Sequence, residues 1–121
     1  MIKAGSVVSS IALLHCAVGV ALAWQPLRAI LADGAIGAVD PHLDRMAAFW
    51  FMFFGFLLLL LGEALRLWEG SAKLPARVGY GRLALCGTGA LIMPISGFWL
   101  GVVPAALILR RARVAGTARA A

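Results

Sequence analysis

Residues 46–62 read MAAFWFMFFGFLLLLLG, seventeen positions without a charged side chain, and the run closes on the carboxylate of Glu63. At about 1.5 Å per residue a helix of this length nearly crosses a hydrocarbon core of roughly 30 Å. With Glu63, Ala64 and Leu65 added, it is long enough. A helix built to lie in a bilayer is therefore expected, with one ionisable group at its foot.

The rest of the chain agrees. Of 121 residues, 63% are apolar and 13% charged, with a mean hydropathy of +0.96. A soluble domain carries about 25% charged residues, so a water-soluble fold is not expected. The net charge of +6 raises nucleic acid as a partner. Its distribution argues against that, because the basic residues stand at the ends of apolar segments and not along a polar face.

Four spans are predicted, at about 4–24, 46–68, 75–93 and 97–109, forming a single integral membrane domain over 1–121. The fold class is all-α, a four-helix transmembrane bundle. With the N-terminus inside, Lys3, Arg66, Lys73, Arg77, Arg82, Arg110, Arg111, Arg113 and Arg119 fall on the cytoplasmic side, and only Arg28 and Arg45 outside. That asymmetry follows the positive-inside rule and puts both termini in the cytoplasm. Met1–Lys3, the apolar stretch after it and Ala21-Leu22-Ala23 have the outline of a cleaved signal peptide. His15, which interrupts the stretch, favours a retained span. Cys16 and Cys86 fall at mid-span, so no disulfide framework is indicated.

Gly5, Ser9, Ala12, Cys16, Gly19 and Ala23 recur at spacings of four and three, which places small side chains on one face of the first span. Ala48, Gly55 and Gly62 repeat the device in the second. Small residues let helix backbones approach closely in lipid, where van der Waals packing drives association. Oligomerisation through these seams is expected. Between the spans, residues 26–32 form a short interfacial helix stopped by Asp33-Gly34, and Asp40-Pro41 reads as an N-cap with proline at the first helical position. Pro75 restarts the helix after the inner loop, and the Ala/Arg tail beyond Arg110 is expected to fray.

Only 32 residues, Val78 to Leu109, serve the last two crossings and their turn. Two full crossings use about twenty residues each, so the hairpin between the third and fourth spans is expected to be short and recessed. Pro94 and Pro104 free the carbonyls of Ala90 and Leu100. Unpaired backbone at depth needs protein or a water-filled cavity around it, which makes the Pro94–Gly97 turn a candidate cavity wall.

Four groups of residues could carry chemistry. Glu63 and Arg82 lie at matching depths, about one turn above Trp68 and one to two turns above Arg77, so a structural ion pair is expected. His15 is the ionisable group nearest the bilayer centre. It either bonds a carbonyl or a hydroxyl such as that of Thr88, or handles a ligand or proton. Asp40, His42, Asp44 and Arg45 cluster at the outer start of the second span, where capping explains them better than a metal; Arg45 is expected to pair with Asp44 or an anion. Aromatic residues crowd the outer half. Trp24, Trp50 and Trp99 suit an interfacial belt, while Phe49, Trp50, Pro94, Ser96, Phe98 and Trp99 with His15 at the floor could line a ligand pocket. No nucleophile elbow, phosphate loop, dinucleotide fingerprint or metal-spaced cysteine pair is present, so no cofactor and no catalytic residue is assigned.

Taken together, His15 with Gly19, the Ala48-Phe49-Trp50-Phe51 segment with Gly55, Leu74-Pro75, and Met93-Pro94-Ile95-Ser96-Gly97-Phe98-Trp99-Leu100 followed by Pro104 resemble the small four-helix bacterial membrane proteins of the family DUF6463. The resemblance runs over nearly the whole chain and implies the fold and an inner-membrane location, with no activity attached. The leading functional expectation is binding or transport of a small lipophilic or cationic molecule at the His15 pocket. A non-catalytic accessory subunit of a larger membrane complex is the alternative. A membrane-embedded enzyme using His15 as acid and base ranks third.

Overall fold

A computed structural model describes residues 2–71 and 75–120, with residues 71 and 115–120 as backbone alone. Lys73 and Leu74, and the side chain of Arg119, lie outside the described residues. Five α-helices are present and no strand among the described residues: α1 (Ala4–Leu22), α2 (Trp24–Ala32), α3 (Leu43–Ser71), α4 (Ala76–Ile92) and α5 (Val102–Ala120). A 3-10 turn, Gly97–Gly101, leads into α5. The all-α class is thus as expected. Of the described helices, Ala4–Leu22 and Leu43–Gly70 are long and apolar enough to cross a membrane.

The seam of small residues forms, but inside one chain. Antiparallel α1 and α3 pair Gly5 with Arg66, Ser9 with Gly62, Cys16 with Gly55 and Gly19 with Met52. A Cβ on Gly62 would lie 2.7 Å from the backbone nitrogen of Ser9, so only glycine permits this approach. The expected oligomer seam is therefore occupied by α3 itself. α4 and α5 form a second antiparallel pair, with Gly79 against Ile108 and Leu109, and Gly89 against Phe98. α5 joins the two pairs by packing on α1. Ala4, Val8, Leu65 and Ile108 make the core there, with Leu58, Val78 and Leu107 against it. Among the described residues no Cα of α3 comes within 8 Å of one in α4, so the backbones of these two helices are not neighbours.

The connection from α2 to α3 follows the sequence reading in part. α2 ends where expected: the Gly34 N–H bonds the Leu31 carbonyl at 3.2 Å and the Ala35 N–H bonds the Ile30 carbonyl at 2.8 Å. This is the Schellman pattern, and the positive φ of 87° at Gly34 is the reason glycine stands there. The N-cap expectation at Asp40 needs correction. A turn closed by the His42 N–H on the Val39 carbonyl, with a cis Asp40–Pro41 peptide, precedes the helix, and α3 starts at Leu43. Arg45 reaches back to Asp33 at 2.8 Å and to the Ala38 carbonyl at 2.7 Å, tying the loop to α3 in place of the expected Asp44. At the other end of the chain, α5 runs helically through the tail to Ala120 where fraying was expected.

Candidate ligand sites

His15 is held at the α1–α3 seam. Its Nε2 lies 2.9 Å from the Phe51 carbonyl oxygen, and its ring stacks on that of Phe51 at 3.9 Å and 12°. Phe54 meets it edge-on at 5.7 Å. Gly55 makes this possible, because a Cβ there would lie 2.9 Å from His15 Cδ2 and 2.6 Å from Cys16 Sγ. A carbonyl only accepts, so Nε2 is the donor in this bond. The carbonyl alternative read from the sequence is therefore the one realised. Thr88 sits on α4, whose backbone does not adjoin that of α1 among the described residues.

The other aromatic residues do not gather around this histidine. Phe49, Trp50 and Phe53 form their own cluster on α3, with ring centroids 5.5 to 5.8 Å apart, and all three are exposed. The Pro94 turn is organised locally. Ser96 Oγ donates to the Met93 carbonyl at 2.6 Å and accepts from the Phe98 N–H at 3.4 Å, capping the 3-10 turn. Trp99 Nε1 donates to the Pro94 carbonyl at 3.0 Å, and Phe98 covers Gly89. Among the described residues the backbone of α3 adjoins neither this turn nor that of α4. His15, the Phe49–Trp50 cluster and the Pro94–Trp99 turn are thus each held by their own contacts among the described residues, although the 3-10 turn packs on α1, the helix that carries His15. Aromatic side chains surround α3 on every side, and nothing in their spacing tells which ones face a neighbour.

A different concavity is present. An open groove of about 310 Å³ runs along α1, with Ile2, Val7, Ile11 and Leu14 as its apolar lining. Ser6, Ser10 and, from the 3-10 turn, Leu100 complete its lining. None of the residues expected to bind ligand lines it. No acid lines it either, so its chemistry is that of a lipophilic chain.

The expected ion pair is also replaced. Glu63 pairs with Arg66, three residues on in the same helix, and accepts from Ser9 Oγ at 3.3 Å. Arg82, on a helix whose backbone does not adjoin that of α3, forms none of the ion pairs among the described residues, and its buried Nε has no partner there. The helices that would carry the pair are not backbone neighbours.

Glu69 is the polar residue that sequence reasoning passed over. Its side chain is only 3% exposed and takes bonds from three sources. The N–H groups of Ala4 and Gly5 donate to it at 3.1 and 3.0 Å, and Arg111 forms an ion pair with it. Arg111 also donates to the Ile2 carbonyl at 2.6 Å. The first N–H groups of a helix have no intrahelical acceptor, and the helix dipole favours an anion there. Here that anion comes from 64 residues away along the chain. A signal existed: α1 opens without a Ser, Thr, Asp or Asn cap and has no acid in its first turn. A buried helix start with no local cap must be capped from elsewhere.

His15 gives a direct check on which of its contacts matter. His15→Phe keeps the stack and loses only the hydrogen bond, so a loss of about 1 kcal/mol is expected in unfolding from detergent micelles. His15→Ala loses the ring pair as well and should cost about 1 kcal/mol more. Equal stability of His15→Ala and the wild type would mean the seam does not depend on this side chain.

The class that emerges is a small all-helical protein with two helices of membrane-spanning length and composition. The chain belongs to DUF6463, a family of unknown function whose model matches residues 2–115. No curated protein and no solved structure matches it. Among the described residues, no three His, Cys, Asp or Glu side chains gather where they could hold a metal ion.

Proposed function

We propose that this protein is a four-span protein of the bacterial inner membrane, with both termini in the cytoplasm, that binds a lipophilic molecule in the groove along α1. The observation that carries the reading is where its apolar surface lies. In each of the two long helices only 22% of the most apolar window is buried within the chain, whereas the core helix of a soluble protein is mostly buried. Leu13, Leu60, Leu85 and Leu91 are 61%, 67%, 68% and 82% exposed, a surface suited to hydrocarbon and not to water. Trp24, Trp50 and Trp99 stand exposed toward the end that carries the α2 loop, in keeping with an interfacial belt. Lys3, Arg66 and Arg111 lie at the opposite end, which supports that end as the cytoplasmic one. The close α1–α3 seam supports α1 as a retained span.

The binding site moves from the His15 pocket to the groove, because His15 is engaged by Phe51. A lipophilic ligand is kept and a cationic one set aside, since Glu63 and Glu69 are already matched by Arg66 and Arg111. The same engagement weighs against acid–base catalysis by His15. Accessory-subunit function is the second reading, and Arg82 favours it. A half-buried guanidinium on α4 that joins none of the ion pairs among the described residues suits a carboxylate on a partner's helix. A homo-oligomer would have to use another face and not the α1–α3 seam.

Single cysteines placed at Ser71 and Ile36, in a Cys16→Ala/Cys86→Ala background, test the topology. In sealed right-side-out cells a membrane-impermeant maleimide should label the Ile36 position and spare the Ser71 position. Labelling of both, or recovery of the chain in the soluble fraction after alkaline extraction, would overturn the membrane reading.

A further inference from the structure

We propose that the α4–α5 hairpin is a lid on the α1–α3 pair, hinged at the end of the molecule that carries Arg111, and that the charge of Arg82 holds it ajar. Hinge and prop go beyond the binding reading above and need no ligand in the groove. The first support is how each pair is built. Glycines close the α1–α3 seam from Gly5 to Gly19, and the α4–α5 seam with its 3-10 turn from Gly79 to Gly89, so each pair is braced along its length. Between the pairs, bracing is concentrated at one end. There Ala4, Val8, Leu65 and Ile108 form the core with Val78 against it, and Arg111 bonds both Glu69 and the Ile2 carbonyl.

The second support is how burial fades away from that end. Ala4, Val8, Ile11, His15, Val18 and Leu22 recur at spacings of four and three, so they share one face of α1. Ala4 and Val8 are 0% exposed, Val18 is 40% exposed and Leu22 81%. Leu65, Leu61, Leu58 and Phe54 share a face of α3 in the same way, and there Leu65 is 4% exposed against 44% for Leu61 and 50% for Phe54. Shortness of the hairpin does not explain this. From Val78 to Ile92 α4 runs about 21 Å at the helical rise, whereas Phe54 lies about 16 Å from Leu65. Yet no Cα of α4 comes within 8 Å of one in α3 among the described residues. The joint between the pairs is a wedge, closed at the Arg111 end.

The third support is Arg82. It stands one turn beyond Val78, as Leu61 stands one turn beyond Leu65, so both lie where the wedge begins to open. Its Nε is buried without a hydrogen-bond partner, and its guanidinium joins none of the ion pairs among the described residues. Drawing the hairpin onto Leu61 and Phe54 would enclose that charge without compensation, a cost larger than the apolar contact of two half-exposed side chains returns. Leu100 travels with the hairpin and lines the groove otherwise made by α1, so the position of the lid sets the width of the groove.

The experiment uses the full chain in dodecyl maltoside, with nitroxide labels on introduced cysteines in a Cys16→Ala/Cys86→Ala background and distances read by double electron–electron resonance. Phe56→Cys/Leu91→Cys spans the open end of the wedge and Ala64→Cys/Arg77→Cys the hinged end; all four positions are exposed. Arg82→Leu should shorten the open-end distance by about 3 Å or more, toward the roughly 8–10 Å between the axes of packed helices, and leave the hinged end within about 1 Å of its starting value. Arg82→Lys keeps the charge and should keep the open-end distance as well. Arg111→Gln should broaden the distance distribution at the hinged end while helicity, read by circular dichroism, stays unchanged. An unchanged open-end distance in Arg82→Leu, or equal shortening in Arg82→Lys, would overturn the prop. A hinged-end distribution no narrower than the open-end one in the otherwise unaltered chain would overturn the hinge. Maleimide labelling decides the topology separately, so either result leaves the membrane reading where it stands.

Discussion

Glu69→Ala is expected to lower the stability of the folded protein by about 3–5 kcal/mol, the cost of removing one member of a buried ion pair. Three separate groups lose their acceptor at once: the N–H groups of Ala4 and Gly5, and the guanidinium of Arg111. α1 has no cap of its own to fall back on. Arg111 would keep only the Ile2 carbonyl, so its charge would sit beside α1 without compensation. Glu69→Gln should fall between the two, because the amide oxygen still accepts from an N–H but no longer neutralises Arg111. The measurement is thermal unfolding in dodecyl maltoside, followed by circular dichroism at 222 nm, for the wild type, Glu69→Ala, Arg111→Ala and the double variant. Non-additivity of the two single changes reports the coupling between the groups. If Glu69→Ala unfolds at the wild-type temperature, the carboxylate is not the cap of α1.

Gly5→Ala is the second change with a large expected effect, and Gly81→Ala is its control. A Cβ at Gly5 would lie 2.7 Å from the Arg66 Cα and from the Gly62 carbonyl oxygen. Both are backbone atoms of α3, so no rotamer change relieves the clash, and the helices must separate. A loss of about 2–3 kcal/mol is expected, the upper part of the overpacking range. At Gly81 nothing lies within 4 Å of the added methyl, and its φ is ordinary. Alanine there should be neutral or better by up to about 1 kcal/mol, from helix propensity alone. The opposite signs of two identical substitutions, read in the same micellar unfolding assay, are the diagnostic result. Comparable loss at both sites would mean that α4 packs against something in the micelle, such as a second copy.

How much of this was legible in the sequence depends on the range of the interaction involved. The seam was legible because its signal is periodic and local: small residues at spacings of three and four define a helix face whatever lies opposite. The end of α2 was legible because Asp33-Gly34 carries its own backbone requirement. The start of α3 was misread by two or three residues, since proline at 41 belongs to a turn that precedes the helix. A carbonyl partner for His15 was one of the options, but Phe51 could not be singled out among so many phenylalanines.

Composition and periodicity alone, then, determined that this chain is all-helical, that two of the four stretches read as spans form helices long and apolar enough to cross a membrane, and which faces allow close approach. These are properties of single helices, set by the side chains each helix carries. Tertiary structure alone decided which helices are neighbours, because pairing depends on contacts between segments far apart in sequence. That is why Glu63 turned to Arg66 and Ser9 instead of Arg82, and why Glu69 became the cap of α1. Depth along a helix axis can be counted from the chain; direction around the bundle cannot.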